Sequence, residues 1–260
     1  MNKEDRWVLI IGGSSGLGLA TARKFVSHGF GVVVVHRDRK TDMEKIQTQF
    51  DEISQTANGF YSFNADAINP QKRIEITRKI IEFVGKGKIS ALVHSLAKGN
   101  LKPMYAEDAN TLVNQDFHLT MDAMAINLYD WVKELVGQNL FSREARIVAY
   151  TSEGNAKAWK NYAAVSAAKA ALEAIVRNVA LEFAHLGITA NCIQAGVTDT
   201  KSLRMIPDSD VLKEQALARN PHKRLTTPED VANAAYLLAL PEAKWITGTV
   251  IKVDGGESLQ

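Results

Sequence analysis

The segment that most constrains this chain is Gly12-Gly13-Ser14-Ser15-Gly16-Leu17-Gly18, which ends an apolar run and opens a stretch of helical periodicity. Glycines at a strand-to-helix turn let two backbones approach more closely than any side chain would allow. A helix entered this way packs back over the strand it leaves, and the next strand then lies parallel to the first. The rest of the chain repeats this alternation. Short β-branched runs near Trp7 to Gly12, Gly31 to His36, Gly59 to Asn64, Ile89 to Ser95, Ala145 to Thr151, Ile188 to Gln194 and Thr249 to Asp254 predict strands. Between them, Gly16 to His28, Thr41 to Gln55, Pro70 to Val84, Phe117 to Gly137, Asn161 to Leu186 and Pro228 to Leu240 predict helices. The expected class is α/β, a doubly wound parallel sheet of about seven strands with helices on both faces and right-handed crossovers. Leu101 to Asp116 and Thr198 to Arg224 fit neither period, and irregular insertions at strand ends commonly shape a cleft.

A chain of 260 residues is long enough to form one such domain, so residues 1–260 are expected to make a single unit. The 31 basic residues nearly balance 29 acidic ones, which gives no reason to expect a nucleic-acid or membrane partner. Cys192 is the only cysteine, which excludes an internal disulfide and, without a His or Cys cluster, gives no support for a structural zinc site; it reads as a small buried hydrophobe. Met1 to Trp7 is charged and polar, unlike a signal peptide. No stretch approaches the roughly 20 apolar residues that a membrane helix needs. A reducing, cytoplasmic location is the expectation.

The glycine turn has the form of a nucleotide site. A pyrophosphate is held by backbone N–H groups and the positive end of a helix dipole, and Gly12, Gly16 and Gly18 give the clearance for that approach. In a Rossmann-type fold, cofactor choice is made at the end of the second strand, where an acid accepts from the ribose hydroxyls of NAD and repels a 2′-phosphate. The sequence there is Val35-His36-Arg37-Asp38-Arg39-Lys40. His36 takes the acid's position and Arg37 offers a charge-assisted grip on phosphate, which favours NADPH. Asp38, about 20 residues past the loop, keeps a second reading open, with NADH bound through Asp38.

The spacing Gly-x-x-x-Gly-x-Gly resembles the loop of the short-chain dehydrogenase/reductase superfamily, with Ile11 where threonine is usual. Asp66, Asn127, the segment Gly196 to Thr200 and Asp254-Gly255-Gly256 extend the resemblance over nearly the whole chain. It implies cofactor contacts from Gly12, Ser14, Ser15, Gly16, Leu17 and Gly18, from His36 and Arg37, and from Asp66 and Ala67. Ser95, Leu96 and Ala97, then Lys169, then Gly196, Thr198 and Thr200 complete the implied set.

The reaction is read from one departure. Most members of the superfamily carry a tyrosine four residues before a lysine, but Val165 stands four before Lys169 and the nearest upstream tyrosine is Tyr162. On a helix, seven residues advance about 700°, roughly 20° short of two turns, so Tyr162 and Lys169 would share a face. The Tyr-x6-Lys spacing and His94-Ser95-Leu96-Ala97 resemble the enoyl-acyl-carrier-protein reductases, and the ordinary glycine loop resembles their NADPH-using branch. The implied activity is reduction of the C=C bond of 2-enoyl thioesters, carried by acyl carrier protein, in fatty-acid synthesis, in a homotetramer. Tyr162 would donate to the developing enolate, Lys169 would hold the nicotinamide ribose, and Ser152 and Asn127 would support them. No metal is implied. Residues 198–225 would form a lid, whose Lys201, Arg204, Lys213, Arg219, Lys223 and Arg224 offer a surface to an acidic carrier or form an ordinary solvated face. A carbonyl or 3-ketoacyl reductase and a non-catalytic NADP-binding protein are the competing readings.

Overall fold

A computed structural model describes residues 6–107 and 110–260. Residues 1–5 of the N-terminal reading and residues 108–109 of the Leu101 to Asp116 insertion lie outside the described residues. Seven parallel strands form one sheet in the order β3-β2-β1-β4-β5-β6-β7. They are β1 (Trp7–Ile11), β2 (Gly31–His36), β3 (Phe60–Asn64), β4 (Ile89–His94), β5 (Phe141–Ser152), β6 (Thr189–Ala195) and β7 (Val250–Val253). The strand order reverses between β1 and β4, as the Rossmann-type expectation requires, and a crevice opens there at the carboxyl ends of the strands.

Strand alternation divides the core into two layers. Leu9, Ile11, Val33 and Val35 point to one face, where they meet α3 (Pro70–Phe83), α5 (Asn127–Gly137) and α6 (Ala163–Glu182) through Ile80, Trp131 and Leu172. Val8, Ile10, Val32 and Val34 point to the other, against α1 (Gly16–Val26), α2 (Met43–Ser54) and α9 (Pro228–Leu238) through Phe25, Phe50 and Val231. Because both faces are covered, the central strands are buried along their length and read as continuous apolar runs.

The structure corrects several boundaries. The helix expected over Phe117 to Gly137 is instead α4 (Asn114–Met121), a π turn (Asp122–Ile126) and α5. Asp116 starts it earlier than the apolar period does, because its carboxylate accepts from the Val113 N–H and pairs with Lys102. Strand β5 begins at Phe141, before the expected Ala145, since Phe141 pairs with Ile89 across a register shift that the charged Arg143 and Glu144 hide from the pattern. Asn161 adopts a left-handed φ of 60°, so α6 starts at Ala163 and Tyr162 stands just ahead of it. The insertion after β6 folds as α7 (Lys201–Arg204), capped by the Thr200 hydroxyl, and α8 (Ser209–Arg219). Among the described residues, no helix is long and apolar enough to cross a membrane.

Candidate active site

The crevice at the switch point is a cleft of about 880 Å³. Gly12, Ser14, Ser15, Gly16 and Leu17 line it at the start of α1. A Cβ on Gly12 would sit 2.6 Å from the Ser95 carbonyl oxygen, so only glycine lets β1 and β4 close together under the loop. Gly18 plays a different part: it faces the Gly12 backbone, lets α1 dock on its own turn, and does not line the cleft. Ser95, Leu96 and Ala97 follow β4, Asp66 and Ala67 follow β3, and Gly196, Thr198 and Thr200 follow β6, all lining the same cleft. These loops meet because parallel strands put all their carboxyl ends on one edge.

At the end of β2 the cleft is lined by His36, Arg37, Asp38 and Arg39. The His36 ring is buried edge-on against Phe50, and its Nδ1 lies 2.9 Å from Asp38 Oδ2. Arg37 reaches across to Asp66, donating from Nη1 to Oδ2 at 2.8 Å, with Lys98 Nζ 4.0 Å from the same oxygen. Its guanidinium remains mostly exposed, a planar cation at the mouth of the cleft.

Deeper in, Tyr162 and Lys169 both line the cleft. The Tyr162 hydroxyl is 3.3 Å from Ser152 Oγ, and its ring rests on Gly154 and against Trp159, with ring centroids 5.0 Å apart. Burial pushes the Tyr162 phenol above its usual pKa, opposed only by the Ser152 hydrogen bond, so it keeps its proton at neutral pH. Lys169 is buried and donates from Nζ to the Tyr150 carbonyl at 2.6 Å. Burial lowers its pKa to about 8, while Cys192 and Glu173 oppose the shift. The Cys192 thiol, buried in the sheet, is pushed up to about 12, again mainly by burial, which leaves it unreactive.

Asn127 does not line the cleft. Fully buried on α5, it donates from Nδ2 to the Ala67 carbonyl at 2.8 Å, and its Oδ1 is 3.3 Å from His94 Nε2. Burial, helped by the charge of Lys169, lowers the His94 pKa to about 3, so the imidazole is neutral and donates to Asn127. Trp131 Nε1 donates to the same Ala67 carbonyl at 3.1 Å. Asn127 therefore anchors the Asp66-Ala67 turn.

Apolar side chains continue the cleft beyond Tyr162. Met124, Val165, Val197, Leu203 and Ile206 form one cluster with the Tyr162 ring, and α7 supplies part of its cover. Val165, the residue four before Lys169, is a wall of this chamber packed against Gly99. Arg219, the last residue of α8, donates to Glu153 at 3.1 Å and to the buried Glu257 at 2.9 Å, and so ties α8 to the turn that supports Tyr162. Trp159, Glu153 and Glu257 are site residues that no spacing in the sequence singles out, since the contacts that recruit them, the Trp159 ring against Tyr162 and Arg219 with both carboxylates, form only in the fold. The basic residues of the insertion are engaged within the chain: Lys201 with Asp42, Arg204 with Asp199, Lys213 with Asp210, Arg224 with Asp230, and Lys223 with the Ala218 carbonyl. Among the described residues, no group of three or more His, Cys, Asp or Glu is arranged to hold a metal ion.

A glycine turn that holds two strands within backbone contact, with a buried tyrosine and lysine facing the same cleft, defines an NAD(P)H-dependent oxidoreductase of the short-chain dehydrogenase/reductase type. The family model for enoyl-(acyl carrier protein) reductase matches residues 12–258, and the chain belongs to this family. It is 30% identical to a 3-oxoacyl-[acyl-carrier-protein] reductase of Staphylococcus epidermidis over 98% of this chain and 99% of the relative. It is 28% identical to the (2S)-[(R)-hydroxy(phenyl)methyl]succinyl-CoA dehydrogenase subunit BbsD of Thauera aromatica, over 100% of this chain and 99% of the relative. Its fold is that of a Bacillus cereus enoyl-acyl carrier protein reductase solved with NADP+ and indole naphthyridinone, with a TM-score of 0.86 and 23% identity, covering 98% of this chain and 97% of that one. An enoyl-[acyl-carrier-protein] reductase (NADH) of Aquifex aeolicus shares the fold with a TM-score of 0.84 and 24% identity, covering 98% and 97% of the two chains.

Proposed function

We propose that this chain reduces the C=C bond of 2-enoyl thioesters with NADPH. The observation that carries this reading is the exchange at the catalytic helix: Val165 is a buried wall, and the phenol in the cleft comes from Tyr162, one turn earlier. A hydroxyl so placed lies beside an apolar chamber suited to an acyl chain.

When bound, the reduced nicotinamide supplies a hydride to the β-carbon of the enoyl group. Gly12, Ser14, Ser15, Gly16 and Leu17 would hold its pyrophosphate, Asp66 and Ala67 its adenine, and Lys169 its nicotinamide ribose; the start of α1, which faces the cleft with no side-chain cap on its N–H groups, fits that load. Tyr162 would donate its phenol proton to the thioester oxygen, where negative charge collects as the enolate forms; the enol would tautomerise to place a proton on the α-carbon, and the phenolate would take a proton back from solvent. Ser152 orients that phenol through their 3.3 Å contact. The Tyr150 carbonyl fixes the Lys169 ammonium, whose charge favours proton donation by a nearby tyrosine. Met124, Val197, Leu203 and Ile206 exclude water from the chain of the substrate.

Reduction of a 3-oxoacyl thioester is the second reading, favoured by the Ser152–Tyr162 contact, since two hydroxyls together equally suit a carbonyl oxygen. NADPH oxidation measured with crotonyl and longer 2-enoyl thioesters, and with 3-oxoacyl thioesters, separates the two. The expected result is a saturated thioester, identified by mass; turnover of 3-oxo substrates alone would overturn the proposal.

The choice of NADPH rests on Arg37. Arg37→Ala is expected to weaken NADPH by roughly 1.5–3 kcal/mol, the scale of hydrogen bonds to charged groups, and to leave NADH nearly unchanged. Cofactor titration of the variant checks this, and equal losses for the two cofactors would remove Arg37 from the discrimination.

A further inference from the structure

Asp38 stands where a carboxylate could still serve the ribose of NADH, yet its side chain is committed elsewhere. One oxygen, Oδ2, is 2.9 Å from His36 Nδ1. An ionised carboxylate can only accept, so Nδ1 carries the proton and donates to it. The His36 ring is enclosed at the end of β2 against Phe50, and its Nε2 is buried with no hydrogen-bond partner among the described residues. Asp38 is therefore the only polar partner of the His36 side chain there. A carboxylate that rotated away to meet a ribose would leave the whole imidazole buried and unpaired. The backbone of Asp38 is also held, because its N–H donates to Asn64 Oδ1 at 3.1 Å and its carbonyl accepts from Asn64 Nδ2 at 3.3 Å. Asn64 ends β3, so the turn after β2 is fastened to the neighbouring strand. A ribose diol is gripped by a carboxylate that offers it both oxygens, and here one oxygen is taken by His36.

We infer that His36 is a positioning residue for cofactor choice: it holds the Asp38 carboxylate on its own Nδ1, withdrawing the acid that would recruit NADH and leaving Arg37 to meet a 2′-phosphate. The direction of the effect rests on the NADPH reading proposed above.

The test is fluorescence titration of the full-length protein with NADPH and with NADH, for the natural chain, His36→Leu, Asp38→Asn and the double variant. His36→Leu fills similar space without a donor, and is expected to bind NADH about tenfold more tightly, the scale of one charge-assisted hydrogen bond. Its NADPH affinity should hold or fall. Asp38→Asn alone should leave NADH affinity unchanged, and the double variant should lose the gain. A folded His36→Leu with unaltered NADH affinity overturns the inference, and so does a loss of NADH affinity in Asp38→Asn alone, which remains decisive if His36→Leu does not fold. A natural chain that prefers NADH while Asp38→Asn leaves NADH binding unchanged overturns the NADPH reading and leaves the inference standing.

Discussion

Tyr162→Phe is expected to keep its fold and its NADPH affinity while losing enoyl reduction by a factor on the order of 10²–10³, the scale for deleting one oxyanion donor. The phenol meets the substrate oxygen most strongly after charge has begun to collect there, so its loss belongs to the transition state and should lower kcat with little change in cofactor binding. The ring itself stays supported by Gly154 and Trp159, which is why phenylalanine should leave the packing intact. Placing a tyrosine at Val165 should not restore activity: that position is a buried wall against Gly99, and a larger ring there overpacks the chamber and aims at another oxygen position. Single-turnover kinetics of Tyr162→Phe and Tyr162→Phe/Val165→Tyr with a 2-enoyl thioester checks both statements. Enoyl turnover at the natural rate in Tyr162→Phe would remove the phenol from the mechanism.

Lys169 predicts opposite pH dependences for activity and stability. Its pKa is about 8 in the folded chain, lowered chiefly by burial from the ordinary 10.5. If the ammonium is required, kcat/KM should fall about tenfold per pH unit above roughly pH 8, since that ratio reports the free enzyme. Stability moves the other way. The unfolded chain binds this proton more tightly, so between about pH 8 and 10.5 it carries more protons than the folded one, and the contribution of Lys169 to stability rises with pH. Below pH 8 the full cost of burying the cation is present. Lys169→Met should abolish both dependences, weaken cofactor binding and turnover by removing the group that would hold the ribose, and leave the Tyr150 carbonyl without this donor. Paired pH profiles of kcat/KM and of thermal unfolding, each referenced to Lys169→Met, test this; a kcat/KM that stays level to pH 10 would mean the charge is not used. The Tyr162 phenol titrates above Lys169, because burial raises its pKa from the ordinary 10.0, so the fall that begins near pH 8 reports the lysine.

Much of this site is visible in the chain because it depends on local order. The glycine turn after Ile11, the apolar strands and the helical periods are each a property of a few consecutive residues, and alternation along a parallel sheet brings all strand ends to one edge. Gly12 could therefore be placed at that edge from position, and the family resemblance put Ser95, Asp66, Thr198, Tyr162 and Lys169 beside it in one cleft. Their partners could not. Ser152 meets Tyr162 only through the turn folded between them, and that Arg37 spans to Asp66, that Asn127 anchors Ala67 instead of facing the cleft, and that Arg219 joins Glu153 to Glu257 are all contacts between segments far apart in the chain. So is the lowered pKa of Lys169, which comes from enclosure by neighbours. Even His36 and Asp38, two residues apart, needed the fold, because Phe50 and Asn64 from other elements turn one ring and one loop toward each other. The sequence by itself determined the sheet, its switch point and the residues delivered to it, since these follow from short-range periodicity; the tertiary structure decided which of those residues are already spoken for, since hydrogen bonding and burial depend on distance in space.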